Sequence, residues 1–434
     1  MKAFVRYTER LSGRLDPPSS KNYTTRYLLA AALAEGESAI HYPAHSDDAE
    51  AMLRCLRGFG AQVREERDLQ GRRHLRIRGF GRRPADPGVV DPGNAGAVLR
   101  LLMGVGALLP EVRFQTAHAE SLGQRPHGDL LEALEQLGVR SESDNGRLPV
   151  VLRGGRLRGG RVRVSGARSS QYLSSLLFLA PLIDDPVEIE VRDHLVSQPL
   201  IRTTLEVMRQ AGIRVEAAED LLHFSIPGGQ AYRPGEFTIN GDYPSAAAIL
   251  AAGAVADSHI AVERLFADCQ GERAAIPLLR QMGVEVEYDG RAVELRGHRG
   301  LWGVEFDGDT ATDMVLAMLA VAALAEGESR FHNIGNLRFK ECDRIAMPVR
   351  ELRRVGVDCR EGEAEILIRG RREGYAGGME VHTYHDHRMA QMLTVLGLRC
   401  RQGLVVRDAE NVAKSYPAFF QDLIGLGARI ELGE

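Results

Sequence analysis

The chain is 434 residues long, 44% hydrophobic and 26% charged, with a formal net charge of -4. That length exceeds what one small core organises and predicts two or three domains, while the acidic balance argues against general affinity for nucleic acid or anionic membranes. Five scattered cysteines without a CxxC pair fit free thiols in a reducing compartment, not a disulfide framework or a zinc site.

The N-terminus, MKAFVRYTERLSG, lacks the apolar core of a signal peptide. Lys2–Thr8 reads as a strand with no helix before it. From there one phrase recurs: an amphipathic helix ending in glycine, followed by a short strand. The glycines are Gly60, Gly138, Gly212, Gly283, Gly356 and Gly427, with successive separations of 71 to 78 residues. A glycine there closes a helix C-terminus in the left-handed conformation, and six regular copies make an internal repeat.

Each copy also carries an earlier helix, apolar on all sides and therefore predicted to be buried all round. These are Tyr27–Ala34, Ala97–Leu109, Tyr172–Leu182, Ala246–Val255, Met314–Ala325 and Met389–Leu398. The longest apolar run, Met314–Ala325, falls well short of the ~20 residues that span a bilayer, so a soluble, cytoplasmic protein is expected. Strands are predicted at Ala39–Tyr42, Val112–Thr116, Val187–Val191, His259–Val262, Ser329–Asn333 and Leu404–Arg407. The unit is then βαβαββ, an α/β arrangement of buried parallel helices under outer sheets. The sixth copy ends with one strand after Gly427, so Lys2–Thr8 is expected to complete it. Two domains follow: residues 18–240, and residues 1–17 together with 241–434.

Helix N-termini expose unpaired N–H groups and attract anions. Just before the six buried helices stand Ser20-Lys21-Asn22, Gly93-Asn94-Ala95-Gly96, Ser169-Ser170-Gln171, Asp242-Tyr243-Pro244-Ser245, Asp309 to Asp313, and His385-Asp386-His387-Arg388. Capping alone accounts for Ser170, Asp242 and Asp309. It does not account for Lys21, Arg26 or Arg388, cations at the unfavourable end of a helix dipole. Parallel buried helices would open all six N-termini on one inter-domain cleft suited to small polyanions. Its cations would be Lys21, Arg26, Arg100, Arg125, Lys340, Arg344, Arg388 and Lys414, and its acid–base groups Asp313, Glu341 and His387.

The segments SSKNYTTR (19–26), GNAG (93–96), GQRPHG (123–128), SSQYL (169–173) and SQP (197–199) resemble the 5-enolpyruvylshikimate-3-phosphate synthase family of enolpyruvyl transferases. So do GDYPSAA (241–247), NLRFKECDR (336–344), YHDHRMA (384–390) and AKSYP (413–417), in order along nearly the whole chain. The resemblance implies an inside-out α/β barrel of two similar domains, three βαβαββ units each, with the active site in the cleft. It implies transfer of the enolpyruvyl group of phosphoenolpyruvate to the 5-hydroxyl of shikimate 3-phosphate, in a monomer without metal or organic cofactor.

By that resemblance Lys21 and Glu341 are proton donors, Asp313 the base, and Lys414 an aid to phosphate departure. Arg125, Arg344 and Arg388 grip phosphoenolpyruvate; Ser169, Ser170, Ser197 and Lys340 hold the phosphate of the acceptor. Gln171 packs on its ring, Arg26 takes its carboxylate, and Asn336 contacts the same substrate. Asn22, Gly96, Arg100 and His387 complete the binding set.

Four positions depart from the family's pattern: Asn22 for Ser, Ala97 for Thr, Leu101 for Pro and Leu200 for Tyr. Ala97 and Leu101 follow Gly96, so an altered response to glyphosate, the family's inhibitor, is expected. The rival readings are an enolpyruvyl transferase acting on UDP-N-acetylglucosamine, a non-catalytic paralogue, and a metal site at His382, His385 and His387. The loop Thr116–Arg125 lacks the cysteine of the first rival, and the charged pairs a paralogue would lose are all present.

Overall fold

The computed structural model describes residues 1–69 and 71–434, which form two compact units, one of residues 1–18 with 240–434 and one of residues 19–239. Each of the six glycines named above adopts a positive φ, between 81° and 105°, and turns an outer helix into a strand. Ala346–Val355 is typical of those helices: Pro348, Val349, Leu352 and Val355 face inward, and Gly356 closes the end with φ 99°.

Six four-stranded sheets result among the described residues, all with one plan: one parallel pair and two antiparallel pairs. In residues 19–239, Glu236–Thr238 returns to pair in parallel with Glu37–His41, so the last strand of the unit closes on its first sheet. In the other unit Lys2–Val5 lies between Leu404–Arg407 and Ile430–Gly433, antiparallel to both. Arg10–Leu15 then pairs in parallel with Asp257–Val262. Sequence reading missed this second strand because RLSGRL buries only Leu11 completely and shows little alternation.

Each unit has one continuous apolar core beneath its sheets. Helix Tyr243–Val255 is buried at all thirteen positions, as residues apolar on every side require. It packs against Val315–Ala322 and His387–Gly397. The other unit has Lys21–Leu33, Gly96–Gly106 and Ser170–Leu179 in the corresponding places.

Five of the six buried helices start earlier than apolar periodicity predicts. Ser20 caps the first at Lys21, and Asp242 the fourth at Tyr243, accepting from Ser245 N–H at 2.9 Å. Polar caps draw the polar first turn into the helix, and a hydrophobic pattern cannot register that. Two expected caps differ. Ser169, not Ser170, caps Ser170–Leu179, and Asp309 precedes a 3-10 turn (Thr312–Met314) that starts after Ala311. The predicted helix Met314–Ala325 is correspondingly divided, with only Val315–Ala322 fully α-helical.

Candidate active site

The charged segment 336–344 is a 3-10 turn, Gly335–Phe339, followed by irregular chain. That irregular path turns Lys340, Glu341 and Arg344 to one side. Arg344, 1% exposed, is the hub. Its Nε and Nη2 donate to the two oxygens of Asp386 at 2.7 and 3.0 Å, and its Nη1 to Asp313 at 3.1 Å. Glu341 lies 2.9 Å from Nη2 and, through its other oxygen, 2.8 Å from Lys414 Nζ. Lys340 Nζ is 3.7 Å from Asp313.

Three carboxylates and three cations thus balance around a buried centre, with Asp313 and Lys340 at its partly exposed edge. Burial lowers the Arg344 pKa, but Asp386, Glu341 and Asp313 outweigh it and hold the value well above the usual one. Asp343 stays outside this network: it pairs with Arg338 at 2.7 Å and accepts from the Ile345 and Ala346 N–H groups.

Arg388 sits beside this network and is 3% exposed. Its Nη1 donates to the Pro244 carbonyl at 2.9 Å and to Gln391 at 3.0 Å, and it has no carboxylate partner among the described residues. Asp386 caps its helix at the Arg388 N–H, 2.8 Å away, after two successive residues with positive φ, Tyr384 and His385. His387 is 2% exposed, its Nδ1 3.7 Å from Asp386. The Asn336 side chain is buried, its Oδ1 without a partner. Among the described residues no group of three or more His, Cys, Asp or Glu is arranged to hold a metal ion, including His382, His385 and His387.

In residues 19–239 the remaining candidates gather around the starts of buried helices. Lys21 Nζ is 3.0 Å from Asp48, which the next helix supplies in its first turn. Arg26 is 1% exposed and among the described residues meets only neutral groups: Thr204 at 2.8 Å, the Asn22 carbonyl at 3.0 Å and Ser174 at 3.5 Å. Burial pulls its pKa down to about 10. Arg100 Nη1 reaches Gln171 at 2.8 Å and Ser169 at 3.3 Å, and its guanidinium lies over the Tyr172 ring.

Gly96 opens its helix against Arg125: an added Cβ would stand 2.7 Å from Arg125 Nη1. Ser170 and Ser197 are buried, and Ser197 holds a left-handed backbone at φ 54°, a strain that polar residues at working sites tolerate. His127 is wholly buried. Burial, with Arg100 and Arg125 nearby, lowers its pKa well below the ordinary value and keeps it neutral.

The sequence-predicted residues divide between the two units. Lys21, Asn22, Arg26, Gly96, Arg100, Arg125, Ser169, Ser170, Gln171 and Ser197 belong to residues 19–239. Asp313, Asn336, Lys340, Glu341, Arg344, His387, Arg388 and Lys414 belong to the other unit. Sequence reasoning passed over Asp48, His127, Glu272 and Asp386. Only Asp386 carried a usable signal, as the acid within a run of basic residues at a helix start.

Of 434 residues, 5–423 match the protein family described as EPSP synthase (3-phosphoshikimate 1-carboxyvinyltransferase). A 3-phosphoshikimate 1-carboxyvinyltransferase of Deinococcus radiodurans is 47% identical over 431 residues, covering 99% of this chain and 97% of its own. The enzyme of the same name from Burkholderia pseudomallei is 36% identical, covering 98% and 94%. The solved EPSP synthase of Acinetobacter baumannii shares the fold, with a TM-score of 0.82 at 24% identity over 100% of this chain and 99% of that one.

Proposed function

This chain belongs to the EPSP synthase family, and from that premise we propose how its residues move the enolpyruvyl group of phosphoenolpyruvate to the 5-hydroxyl of shikimate 3-phosphate. The reaction, a step of the shikimate pathway to aromatic amino acids, is addition followed by elimination. A proton goes to the methylene carbon of phosphoenolpyruvate, and the 5-hydroxyl loses its own as its oxygen bonds to C2. Phosphate then leaves from C2 by C–O cleavage, and a proton returns from the methyl group.

One observation carries the anion-binding part: Arg26 and Arg388 are almost completely buried yet lack a carboxylate partner among the described residues. A buried charge is costly unless an opposite charge meets it, so each fits an anionic ligand. Arg26 takes the ring carboxylate of the acceptor. Ser169, Ser170, Ser197 and Lys340 take its phosphate, Gln171 lies on its ring, and Asn22, Asn336 and Arg100 complete its polar contacts. Arg125, Arg344 and Arg388 hold phosphoenolpyruvate through forked guanidinium contacts, and Gly96 and His387 complete the binding set.

Glu341, bridged between Lys414 and Arg344, passes a proton toward carbon, with Lys21 as second donor. Asp313, held by Arg344 and Lys340, is the base, and Lys414 assists the departing phosphate. The chain works as a cytoplasmic monomer, for which sedimentation is the check.

The test is phosphate release from phosphoenolpyruvate with shikimate 3-phosphate or UDP-N-acetylglucosamine as acceptor. Turnover is expected with the first alone. Release only with the second overturns the acceptor assignment.

A further inference from the structure

Among the buried acids that the reaction scheme leaves unused, Glu272 lies directly against its proposed base. Glu272, on the 3-10 turn Gly271–Ala274, is 7% exposed, and its Oε1 accepts the Asp313 N–H at 3.3 Å. It forms no ion pair among the described residues. The neighbouring acids are compensated differently: Asp313 by Arg344 and Lys340, Asp242 by the N–H and hydroxyl of Ser245 at the helix start.

We propose that Glu272 is a positioning residue that works as a neutral acid, holding the Asp313 peptide while leaving the nearby Arg388 guanidinium free for the substrate anion. Ionised, the same carboxyl would compete with that anion for Arg388 and repel Asp313. The inference rests on the roles given above to Asp313 and Arg388.

The surroundings favour the neutral form. Burial, and then Asp313 and Asp242, push the Glu272 pKa up to about 8, against the lowering influence of its backbone contact and Arg388. Asp313 faces it from the turn Thr312–Met314, Asp242 from the cap of Tyr243–Val255, and Arg388 from His387–Gly397. Helix Ala275–Gln281, packed on the same turn, brings only Arg280, whose Nε is engaged by the Val286 carbonyl at 2.9 Å.

The experiment compares the full-length wild type with Glu272→Gln and Glu272→Ala, measuring kcat, KM for phosphoenolpyruvate and Tm from pH 5 to pH 9. Glu272→Ala should lower kcat/KM by about tenfold, and Glu272→Gln, permanently neutral and similar in shape, should restore most of it at pH 7. In the wild type KM should climb above pH 8, approaching tenfold per pH unit, whereas the Gln variant should lack that climb. Its Tm should match the wild type at pH 5 and exceed it at pH 8.

A flat wild-type KM, an equal climb in the Gln variant, or a Gln variant as impaired as the Ala variant overturns the proposal. So does a Tm difference that ignores pH. The melting comparison needs no turnover, so failure of the reaction scheme would appear separately, as a wild type that releases no phosphate.

Discussion

Asp386→Asn tests whether the buried ion network holds the site together. The substitution keeps shape but removes a charge and turns one acceptor into a donor. Both oxygens of Asp386 are engaged: Oδ2 by Arg344 Nε at 2.7 Å, Oδ1 by Arg344 Nη2 at 3.0 Å and the Arg388 N–H at 2.8 Å. Whichever way the amide turns, its NH2 group faces a donor. Breaking a buried pair costs about 3–5 kcal/mol, and the lower end applies because Arg344 keeps Asp313 and Glu341. For a unit of this size about 3 kcal/mol lowers Tm by roughly 9 °C. A guanidinium displaced by about 1 Å would also cost on the order of a hundredfold in kcat/KM. Scanning calorimetry and a phosphate-release assay on the same preparation measure both. A Tm within about 2 °C of wild type, with full activity, would refute the claim that Asp386 fixes Arg344.

Three further outcomes follow from the geometry. Gly96→Ala should displace the far end of Arg125, since the new Cβ would come within 2.7 Å of Nη1; KM for phosphoenolpyruvate should rise about tenfold or more, with Tm little changed because that end is flexible. Glu341→Gln should cut kcat by about a hundredfold or more while KM moves little, and an unchanged kcat in steady-state assays would remove Glu341 from the chemistry. Stability should depend on Glu272 with a definite sign: its folded pKa of about 8 exceeds the ordinary 4.5, so the folded state binds a proton that the unfolded chain has released. Wild-type stability therefore falls as pH rises from about 4.5 to 8, by on the order of 4 kcal/mol, and denaturant titrations of Glu272→Gln should lack that slope.

Much of this architecture is readable from local rules. The six glycines announce the repeat because only a residue without Cβ closes a helix cheaply at positive φ. The all-apolar helices announce their burial by composition alone. What escapes is set by contacts distant in sequence. Asp386 reads as an ordinary cap until Arg344, 42 residues earlier, is seen against both of its oxygens. Glu272 lies in QGERAA, indistinguishable from a solvated turn, and only its burial against Asp313 gives it a role. Arg26 stands out in the sequence as a cation at the wrong end of a helix, but its isolation from carboxylates among the described residues is not a matter of spacing.

The weaving of Lys2–Val5 between two C-terminal strands governs when each unit can form during synthesis. Residues 19–239 are contiguous and can condense as soon as they leave the ribosome. The other unit must hold its first strand in waiting until Ile430–Gly433 emerges, a delay of roughly 20 s or more at ordinary translation rates. Because Lys2 is paired with Gly433, the ends of the chain are neighbours, and a short linker between them would permit new termini at the 18–19 junction. Such a permuted gene would make both units contiguous, so Lys2–Val5 would be made last and would join strands already in place, where in the natural order it waits for them.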